Sequence, residues 1–238
     1  WLKPIDWMQT NVVGQTSLLE AIRLYGKLKK YIHFSTPEVY GNTDDWVNES
    51  TSFNPSTPYA SSRAFGDTNT KIWSKSYDIP VLITRAANIY CEGQHLYRII
   101  PRTILAALNP NPLTIDGNGA SVRSFIHMED VCTLLELALS KDKIYDEFHI
   151  SPRQTIIIRD LVKLIFDMNG VSMDDKKHIS YGPERKGKDQ SYLLDSSKAE
   201  NELGWKPKIT IQEGVEKVLH WYKNNEPNDM PLKYIHKA

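Results

Sequence analysis

The sequence predicts an α/β protein built on a parallel sheet, because helical and strand-like patterns alternate along its first ninety residues. Apolar residues spaced by three and four predict a helix within residues 5–25 that ends at Gly26. A short apolar run at 31–34 predicts a buried strand, and the β-branched run after Pro80 predicts another. Strands that alternate with helices favour a parallel sheet, whose ligands bind beyond the carboxyl ends of the strands.

The intervening and later elements follow from the same patterns. The segment 41–58, rich in Asn, Asp, Ser and Pro, predicts an extended surface loop, and a helix is expected over 59–77. Frequent prolines after Cys91 predict shorter elements in a smaller, loop-rich lobe. The remaining predictions are a helix over 128–141, a strand at 147–150, a helix ending at Gly170, a helix ending before Gly204 and a final helix over about 211–225.

Composition excludes several classes of protein. The 238 residues suffice for one or two domains, and 29 basic against 29 acidic side chains give no excess charge for binding nucleic acid. Cys91 and Cys132 are too few for a disulfide framework, so we expect reduced thiols and a cytoplasmic location. No apolar run approaches the roughly 18 residues of a membrane span, and neither a signal peptide nor a membrane association is predicted.

A tyrosine and an arginine at the start of the 59–77 helix form the first candidate for chemistry. Tyr59 and Arg63 are four residues apart, so their side chains lie on the same side of the helix. A tyrosine acts as a base only after losing its proton, and a permanent positive charge nearby favours the phenolate. The alternative is an ordinary surface pair at a helix start.

A hydroxyl and a carboxylate follow the first predicted strand. Ser35, Thr36 and Glu38 lie at its carboxyl end, where a hydroxyl polarises a carbonyl and a carboxylate transfers a proton. Taken alone, this segment is equally compatible with a simple turn capped by a serine. The seven histidines show no ligand spacing, so His127 and His149 are interpreted as structural and no metal is predicted.

Six motifs occur in an order that carries a family resemblance: NVVGQTSLLEA, FSTPEVYG, PSTPYASSRAFGD, TRAANIY, DGNGASVRSFIHMEDV and LLDSSKAENELGW. The sequence resembles the extended short-chain dehydrogenase/reductases that act on nucleotide sugars, from about residue 5 to about residue 222. Within that family it is most similar to the dTDP-glucose 4,6-dehydratase-like enzymes of the NAD-dependent epimerase/dehydratase group. Six motifs in sequence are far more specific than any single one.

The resemblance implies a particular fold. We expect the C-terminal part of a doubly wound, Rossmann-like parallel sheet, with a smaller mixed α/β substrate-binding lobe. Residues 1–90 are expected to be the remaining part of the NAD-binding domain. Residues 91–238 are expected to form mainly the substrate-binding lobe, with 120–150 returning to the first domain.

The resemblance also implies roles for individual residues. Thr36 corresponds to the residue that polarises the sugar oxygen, and Tyr59 to the base that removes the C4 hydroxyl proton before hydride passes to NAD. Glu38 corresponds to the base that removes the C5 proton during loss of water. Arg63 stands where the family has lysine, and Ser35 and Ala86, at strand ends, are expected to bind the cofactor together with Tyr59 and Arg63.

Two departures from the family pattern leave the reaction type open. Pro37 occupies the position of the acid that protonates the leaving hydroxyl, and proline has no proton to donate. This favours C4-epimerases and decarboxylases, whereas Glu38 favours a dehydratase. Arg63 supplies positive charge but is bulkier and planar. The rival of another class is a catalytically silent nucleotide-sugar-binding protein.

Substrate-binding residues are expected in three segments. Arg123 corresponds to the arginine that binds the pyrophosphate, a task suited to a planar fork of donors. Asn88 corresponds to the amide that hydrogen-bonds the sugar diphosphate. Arg185, Lys188 and Tyr192 resemble a second basic loop over the nucleotide, although for Lys188 a solvated charged face is the simpler interpretation.

The glycine-rich turn that binds a dinucleotide is absent from this sequence. In the family this turn precedes the stretch with which the chain begins, so we expect a longer polypeptide or a second chain to supply the first three or four strands. Family members usually dimerise through the helices represented here by 5–25 and 59–77. A homodimer with a nucleoside-diphosphate sugar as its ligand is therefore expected.

Overall fold

The computed structural model of the chain describes residues 3–109, 112–173, 178–183 and 191–225. Helices alternate with short strands throughout this part of the chain. The helices are α1 (Pro4–Met8), α2 (Gln15–Tyr25), α3 (Pro58–Tyr77), α4 (Ile99–Leu108), α5 (Met128–Leu139), α6 (Ile158–Asp167), α7 (Ser197–Leu203) and α8 (Ile211–Asn224). The strands are β1 (Tyr31–Ser35), β2 (Trp46–Val47), β3 (Val81–Ala86), β4 (Asn88–Tyr90), β5 (Leu113–Asp116), β6 (Val122–Arg123), β7 (Phe125–His127), β8 (Tyr145–Ile150), β9 (Ile156–Ile157), β10 (Ile179–Gly182) and β11 (Leu193–Leu194).

A parallel sheet of order β1-β3-β8 forms the centre of the described structure. Ser35 pairs with Arg85, and Ala86 pairs with Ile150, so the carboxyl ends of the three strands meet at one edge. All six residues of β3 are buried. A central strand of a parallel sheet is covered on both faces, which explains the run of apolar and β-branched residues from Val81 to Thr84. The predicted parallel α/β sheet is confirmed.

Alternate residues of β3 pack into different clusters on the two faces of the sheet. Val81 and Ile83 join Ile79, with partly buried side chains of α2 and α3 against them. Leu82 and Ala86 belong instead to the cluster that contains α5, α7 and Trp205. This alternation follows from the two-residue period of a strand. It produces three layers, with helices above and below the sheet.

The first helical segment is not a regular α-helix along its whole length. Gln9–Gly14 between α1 and α2 is a π-helix, in which the backbone is wound more loosely. The segment ends at Gly26, whose φ of 67° is left-handed and suits glycine, as the sequence predicts. π-Segments are frequent at functional sites, and this one contacts α3.

The lobe after Cys91 contains a helix that the proline-rich pattern does not predict. α4 begins after Arg98 and includes Pro101 within its first turn, where the missing N–H costs little. Ile100 and Ile104 of α4 pack with α6 and α8 around a second cluster of buried apolar residues. Prolines therefore punctuate this lobe without preventing a helix. The strand and helices expected further along the chain are all present.

Two-stranded pairs complete the described fold. β4 pairs with β7 and β2 with β11 in parallel, and β6 pairs with β9 in antiparallel. β8, within the expected 120–150 return, lies in the same sheet as β1 and β3. The division into two lobes stays a prediction. Within the described residues, no helix has both the length and the apolar character required to cross a membrane.

Candidate active site

The turn that follows β1 presents a threonine and a glutamate at the edge of the sheet. Thr36 is buried and has an extended backbone, and its Oγ1 accepts a hydrogen bond from the Glu38 amide at 3.3 Å. Pro37 begins the 3₁₀ turn Pro37–Tyr40, a position where its missing N–H is tolerated. The turn therefore holds Thr36 and Glu38 together at the carboxyl end of the strand.

Helix α3 brings the tyrosine and the arginine to the same edge. The Thr57 side chain accepts a hydrogen bond from the Ala60 amide and caps the helix, and Pro58 occupies its first position. The Arg63 guanidinium donates a hydrogen bond to the Phe34 carbonyl, one residue before the end of β1. This contact ties the helix that carries Tyr59 to the strand that precedes Thr36.

Tyr59 lies among the groups that sequence analysis assigned to catalysis. Burial raises the pKa of its phenol, and the Glu38 charge acts in the same direction. The Arg63 charge, the hydrogen bond with Thr36 and the charge of Arg98 lower that pKa, but they do not reverse the shift. The Arg63 charge therefore favours the phenolate, as expected. The expected net decrease of the Tyr59 pKa is wrong, because removal of the phenol from water raises the pKa by more than the cation lowers it.

Trp7 is a neighbour of Tyr59 that the sequence reasoning missed. The two rings meet edge to face, with centroids 5.0 Å apart and an interplanar angle of 69°. Aromatic pairs favour this arrangement because the positive edge of one ring faces the negative surface of the other. Trp7 also contributes apolar surface beside the phenol. No spacing signal could have identified it, because α1 and α3 are fifty residues apart in the chain.

A second group of residues, the Arg123 group, consists of Arg123, Asn88 and Tyr192. The Arg123 guanidinium lies over the Tyr192 ring, 4.4 Å from its centroid, and the Tyr192 hydroxyl donates to Asn88 Oδ1 at 3.3 Å. The Asn88 Nδ2 donates in turn to the Ser124 carbonyl at 3.1 Å. Tyr192 thus contacts both Arg123 and Asn88, and all three residues were predicted to bind substrate.

Glu38 connects the two groups electrostatically. Burial raises the pKa of the Tyr192 phenol against the Arg123 charge, and the Glu38 carboxylate adds to that increase. The same carboxylate raises the pKa of Tyr59. One carboxylate that acts on both phenols lies close to both groups. Tyr59 and Tyr192 therefore both lie within electrostatic range of the Glu38 carboxylate.

The remaining predicted site residues divide into two sets. Ser35 and Ala86 are the last residues of β1 and β3, at the edge of the sheet where the site lies. Arg185 and Lys188 lie outside the described residues. The expected second basic loop is therefore represented only by Tyr192.

Among the described residues, one group of side chains could hold a metal ion. Glu92, His127 and Glu129 each place one ligand atom within 4.8 Å of the others. The His127 Nδ1 accepts a hydrogen bond from the Glu129 amide at 3.4 Å, so Nε2 carries the proton and faces Glu92. Lys217 binds both oxygens of Glu129, at 2.8 and 2.9 Å. Lys217 therefore balances the charge of Glu129, whereas His127 Nε2, 3.4 Å from Glu92, has no hydrogen-bond partner among the described residues.

A parallel sheet with helices on both faces, and a tyrosine, a threonine and a carboxylate at its strand ends, define a Rossmann-type protein of the NAD-dependent epimerase/dehydratase class. Comparison with family models makes the assignment specific. The model described as GDP-mannose 4,6 dehydratase matches residues 1–218, and the chain belongs to that family.

Individual relatives agree with this assignment. A trifunctional UDP-glucose 4,6-dehydratase/UDP-4-keto-6-deoxy-D-glucose 3,5-epimerase/UDP-4-keto-L-rhamnose-reductase of Arabidopsis thaliana is 33% identical over 224 residues, covering 92% of this chain and 33% of that protein. The chain therefore spans about a third of the length of this plant relative.

Solved structures of similar fold include both a dehydratase and an epimerase. The dTDP-glucose 4,6-dehydratase of Streptomyces venezuelae, with NAD and TYD bound, is 32% identical, with a TM-score of 0.85 over 92% of this chain and 67% of its own. The UDP-glucuronic acid 4-epimerase of Bacillus cereus, in complex with UDP-glucuronic acid and NAD, is 27% identical, with a TM-score of 0.84 over 91% of this chain and 68% of its own.

Proposed function

We propose that this chain carries the acid–base and sugar-diphosphate site of an NAD-dependent, nucleotide-sugar 4,6-dehydratase-like enzyme, which acts by transient oxidation at C4 of a nucleoside-diphosphate hexose. The observation that carries the proposal is the junction of β1 and α3: Arg63 donates to the Phe34 carbonyl of the strand, and the turn after the strand holds Thr36 and Glu38 together. The charge of Glu38 also acts on Tyr59 and on Tyr192, and Tyr192 lies against Arg123, an arginine suited to a diphosphate. Membership of the family and likeness to a dehydratase structure support it.

Each residue of the site has a role in the proposed chemistry. Tyr59 takes the proton of the C4 hydroxyl while the C4–H bond breaks as a hydride, which leaves a ketone at C4. The Thr36 hydroxyl, bonded to Tyr59, polarises the same oxygen. Glu38 then removes the C5 proton, which the new ketone makes acidic, and would pass it to the C6 hydroxyl, which leaves as water and opens C6 to the returning hydride. Burial of Tyr59 excludes water from this step, and the positive charge of Arg63 favours the phenolate that takes the proton.

The residues present fit a nicotinamide cofactor. When bound, NAD supplies a reversible acceptor for the hydride from C4. The Nε of Arg63 is buried and has no hydrogen-bond partner among the described residues, so it is available to a ribose hydroxyl. Ser35 and Ala86 border this position at the ends of β1 and β3. Ligands of parallel α/β sheets bind at such strand ends.

A C4-epimerase or decarboxylase of similar substrates is the second candidate. Pro37 favours it, because the residue between Thr36 and Glu38 has no proton to return to a leaving hydroxyl at C6. Oxidation at C4 needs no acid at this position, so both candidates share Tyr59 and Thr36. The likeness to a UDP-glucuronic acid 4-epimerase supports the same alternative.

Product mass distinguishes the candidates. The protein at its full length is incubated with NAD and a panel of dTDP-, UDP- and GDP-hexoses and the corresponding uronic acids. Loss of water identifies a dehydratase, and loss of carbon dioxide identifies a decarboxylase. A product of unchanged mass that chromatography separates from the substrate identifies an epimerase. Calorimetric binding of a nucleotide sugar without turnover of any of them contradicts the proposal and identifies the silent binding protein.

Arg123→Met is expected to weaken nucleotide-diphosphate binding by about 10- to 100-fold, since a hydrogen bond to a charged group contributes about 1.5–3 kcal/mol. Titration calorimetry with dTDP and UDP measures the effect. Arg123→Lys should recover part of it, because lysine keeps the charge but not the planar fork. Arg23→Met on α2 removes the same charge far from the site and serves as the control. Equal affinities for Arg123→Met and the control would exclude Arg123 as the diphosphate ligand.

We also propose a cytoplasmic homodimer that contributes to the synthesis of surface polysaccharide precursors. Both cysteines are free thiols, as expected in a reducing compartment. The helices α1, α2 and α3 expose large apolar side chains, namely Ile5, Val13, Leu18, Leu24, Phe65 and Ile72. Apolar faces of this kind favour association with a second copy. Sedimentation equilibrium should give twice the chain mass, and Ile72→Lys should give the monomer.

A further inference from the structure

A buried arginine lies where the central strand meets the helix and the turn that carry the site. The Arg85 side chain is fully buried, as is that of Asp67. The Arg85 Nε donates to Asp67 Oδ2 at 2.8 Å, and Nη1 donates to Tyr40 Oη at 3.0 Å and to Glu147 Oε2 at 3.1 Å. One guanidinium therefore bonds three different elements: α3, the turn after β1, and β8.

Two of these partners belong to the segments that carry the proposed chemistry. Asp67 follows Tyr59 and Arg63 at successive intervals of four residues, so all three lie on one face of α3. Tyr40 is the last residue of the turn that presents Glu38. Because Arg85 holds both partners, it sets the position of the Tyr59 face of α3 relative to the turn.

Each partner is also held from its other side. Burial opposes ionisation of Asp67, but a hydrogen bond with His33 at 3.1 Å and the Arg85 charge lower its pKa below the usual value. Tyr40 Oη lies 2.8 Å from His149 Nε2, and burial with the Arg85 charge lowers the pKa of His149 to about 3. The neutral His149 accepts a hydrogen bond from the Tyr40 hydroxyl through its Nε2 atom. The same hydroxyl oxygen accepts a hydrogen bond from Arg85.

The arrangement has geometric value beyond stability. A buried ion pair contributes little to net stability, because the loss of hydration offsets the attraction between the charges. A planar guanidinium with fixed donor directions does, however, restrict the orientation of every partner it binds. The Cζ atom of Arg85 also lies 5.4 Å from the Tyr40 ring centroid and 5.0 Å from the Phe53 ring centroid, which restricts the guanidinium further.

We infer that Arg85 is a positioning residue. Through Asp67 it holds the Tyr59–Arg63 face of α3, and through Tyr40 it holds the Thr36–Glu38 turn. The two segments are thereby kept at the separation that proton transfer requires. The inference rests on the proposed function of Tyr59. A misplacement of about 1 Å at a reacting group lowers rates by as much as about 100-fold. The three hydrogen bonds of the guanidinium are of the kind that prevents such a displacement.

The test compares Tyr40→Phe and Arg85→Lys with the wild-type protein at full length, using the nucleotide sugar on which the wild type is active. Tyr40→Phe keeps the ring but removes the hydroxyl that joins Arg85 to the turn, so it should fold. We expect its kcat to fall about tenfold while KM changes less than twofold, because Arg123 and Asn88 remain in place. Arg85→Lys should lower kcat further.

The matched control is Ser74→Ala, at the far end of the same helix. It removes a buried hydrogen bond of 2.8 Å from Ser74 Oγ to the Ile79 carbonyl and should lower the melting temperature without changing kcat. If Tyr40→Phe and Arg85→Lys behave like this control, with lower melting temperatures and unchanged kcat, Arg85 is structural and the inference is overturned.

A second measurement separates this inference from the proposed function. The Tyr59 resonance, assigned with Tyr59→Phe in protein labelled with ¹³C at the tyrosine ζ position, reports the surroundings of the phenol without any turnover. Tyr40→Phe should shift this resonance, whereas Ser74→Ala should leave it unchanged. If the wild type lacks activity, the proposed function fails and this shift alone decides the positioning role. An unchanged resonance in Tyr40→Phe would overturn it.

Discussion

Tyr59→Phe is expected to lower kcat by about 10²- to 10⁴-fold, which is the contribution usual for a positioned acid–base group. The substitution removes only the phenol oxygen and keeps the ring that packs against Trp7. Binding of the nucleotide diphosphate should stay within about twofold of wild type, because the Arg123 group is untouched. Product formation followed by mass spectrometry and titration calorimetry measure the two effects separately.

The control for this substitution is Tyr77→Phe, at the exposed end of the same helix, which should retain full activity.

The rate of the wild-type enzyme should also increase with pH. Burial raises the pKa of Tyr59, so the phenolate fraction, and with it kcat/KM, should increase with pH through the neutral range. Arg63→Gln removes a charge that lowers this pKa and should move the profile to higher pH. Full turnover by Tyr59→Phe would exclude Tyr59 as the base.

Trp205→Ala is expected to lower the free energy of unfolding by about 3–5 kcal/mol, the usual cost of truncating a buried tryptophan. The side chain is 1% exposed and lies in the cluster formed with β3, α5 and α7. Its Nε1 also donates to the Asp130 carbonyl at 2.9 Å. Urea unfolding followed by circular dichroism measures the change.

Trp205→Phe provides the matched comparison, because phenylalanine keeps most of the buried ring but has no N–H to donate. It should destabilise the protein by less than Trp205→Ala. The Asp130 carboxylate, which accepts the amides of Lys208 and Ile209 at 3.0 Å each, remains in both variants. A loss below about 1 kcal/mol for Trp205→Ala would contradict the assignment of Trp205 to the core.

Much of the fold could be predicted from local patterns. The helix over 59–77, the buried strand after Pro80 and the final helix from about 211 are present close to their expected bounds. Apolar periodicity reports which face of an element is buried, so it identifies elements that cover a sheet. It failed at α4, because prolines in a first helical turn resemble the punctuation of a loop.

The residues of the candidate site were also only partly predictable from the sequence. Tyr59, Thr36 and Glu38 were selected by residue type and by position at a strand end or helix start, and the structure places them together. Trp7, Arg98 and Arg85 were not selected, because their importance depends on neighbours far along the chain. The direction of the Tyr59 pKa was also mispredicted, since helical spacing reveals a nearby cation but not the extent of burial.

By itself, the sequence determined the class of fold, the order of its elements and the residue types available for acid–base chemistry, because periodicity and turn residues act over a few neighbouring positions. Only the tertiary structure decided that the charge of Glu38 raises the pKa of both Tyr59 and Tyr192 and that Arg85 joins α3 to the turn after β1. Those contacts arise when three parallel strands end at one edge, and desolvation there depends on everything packed around it.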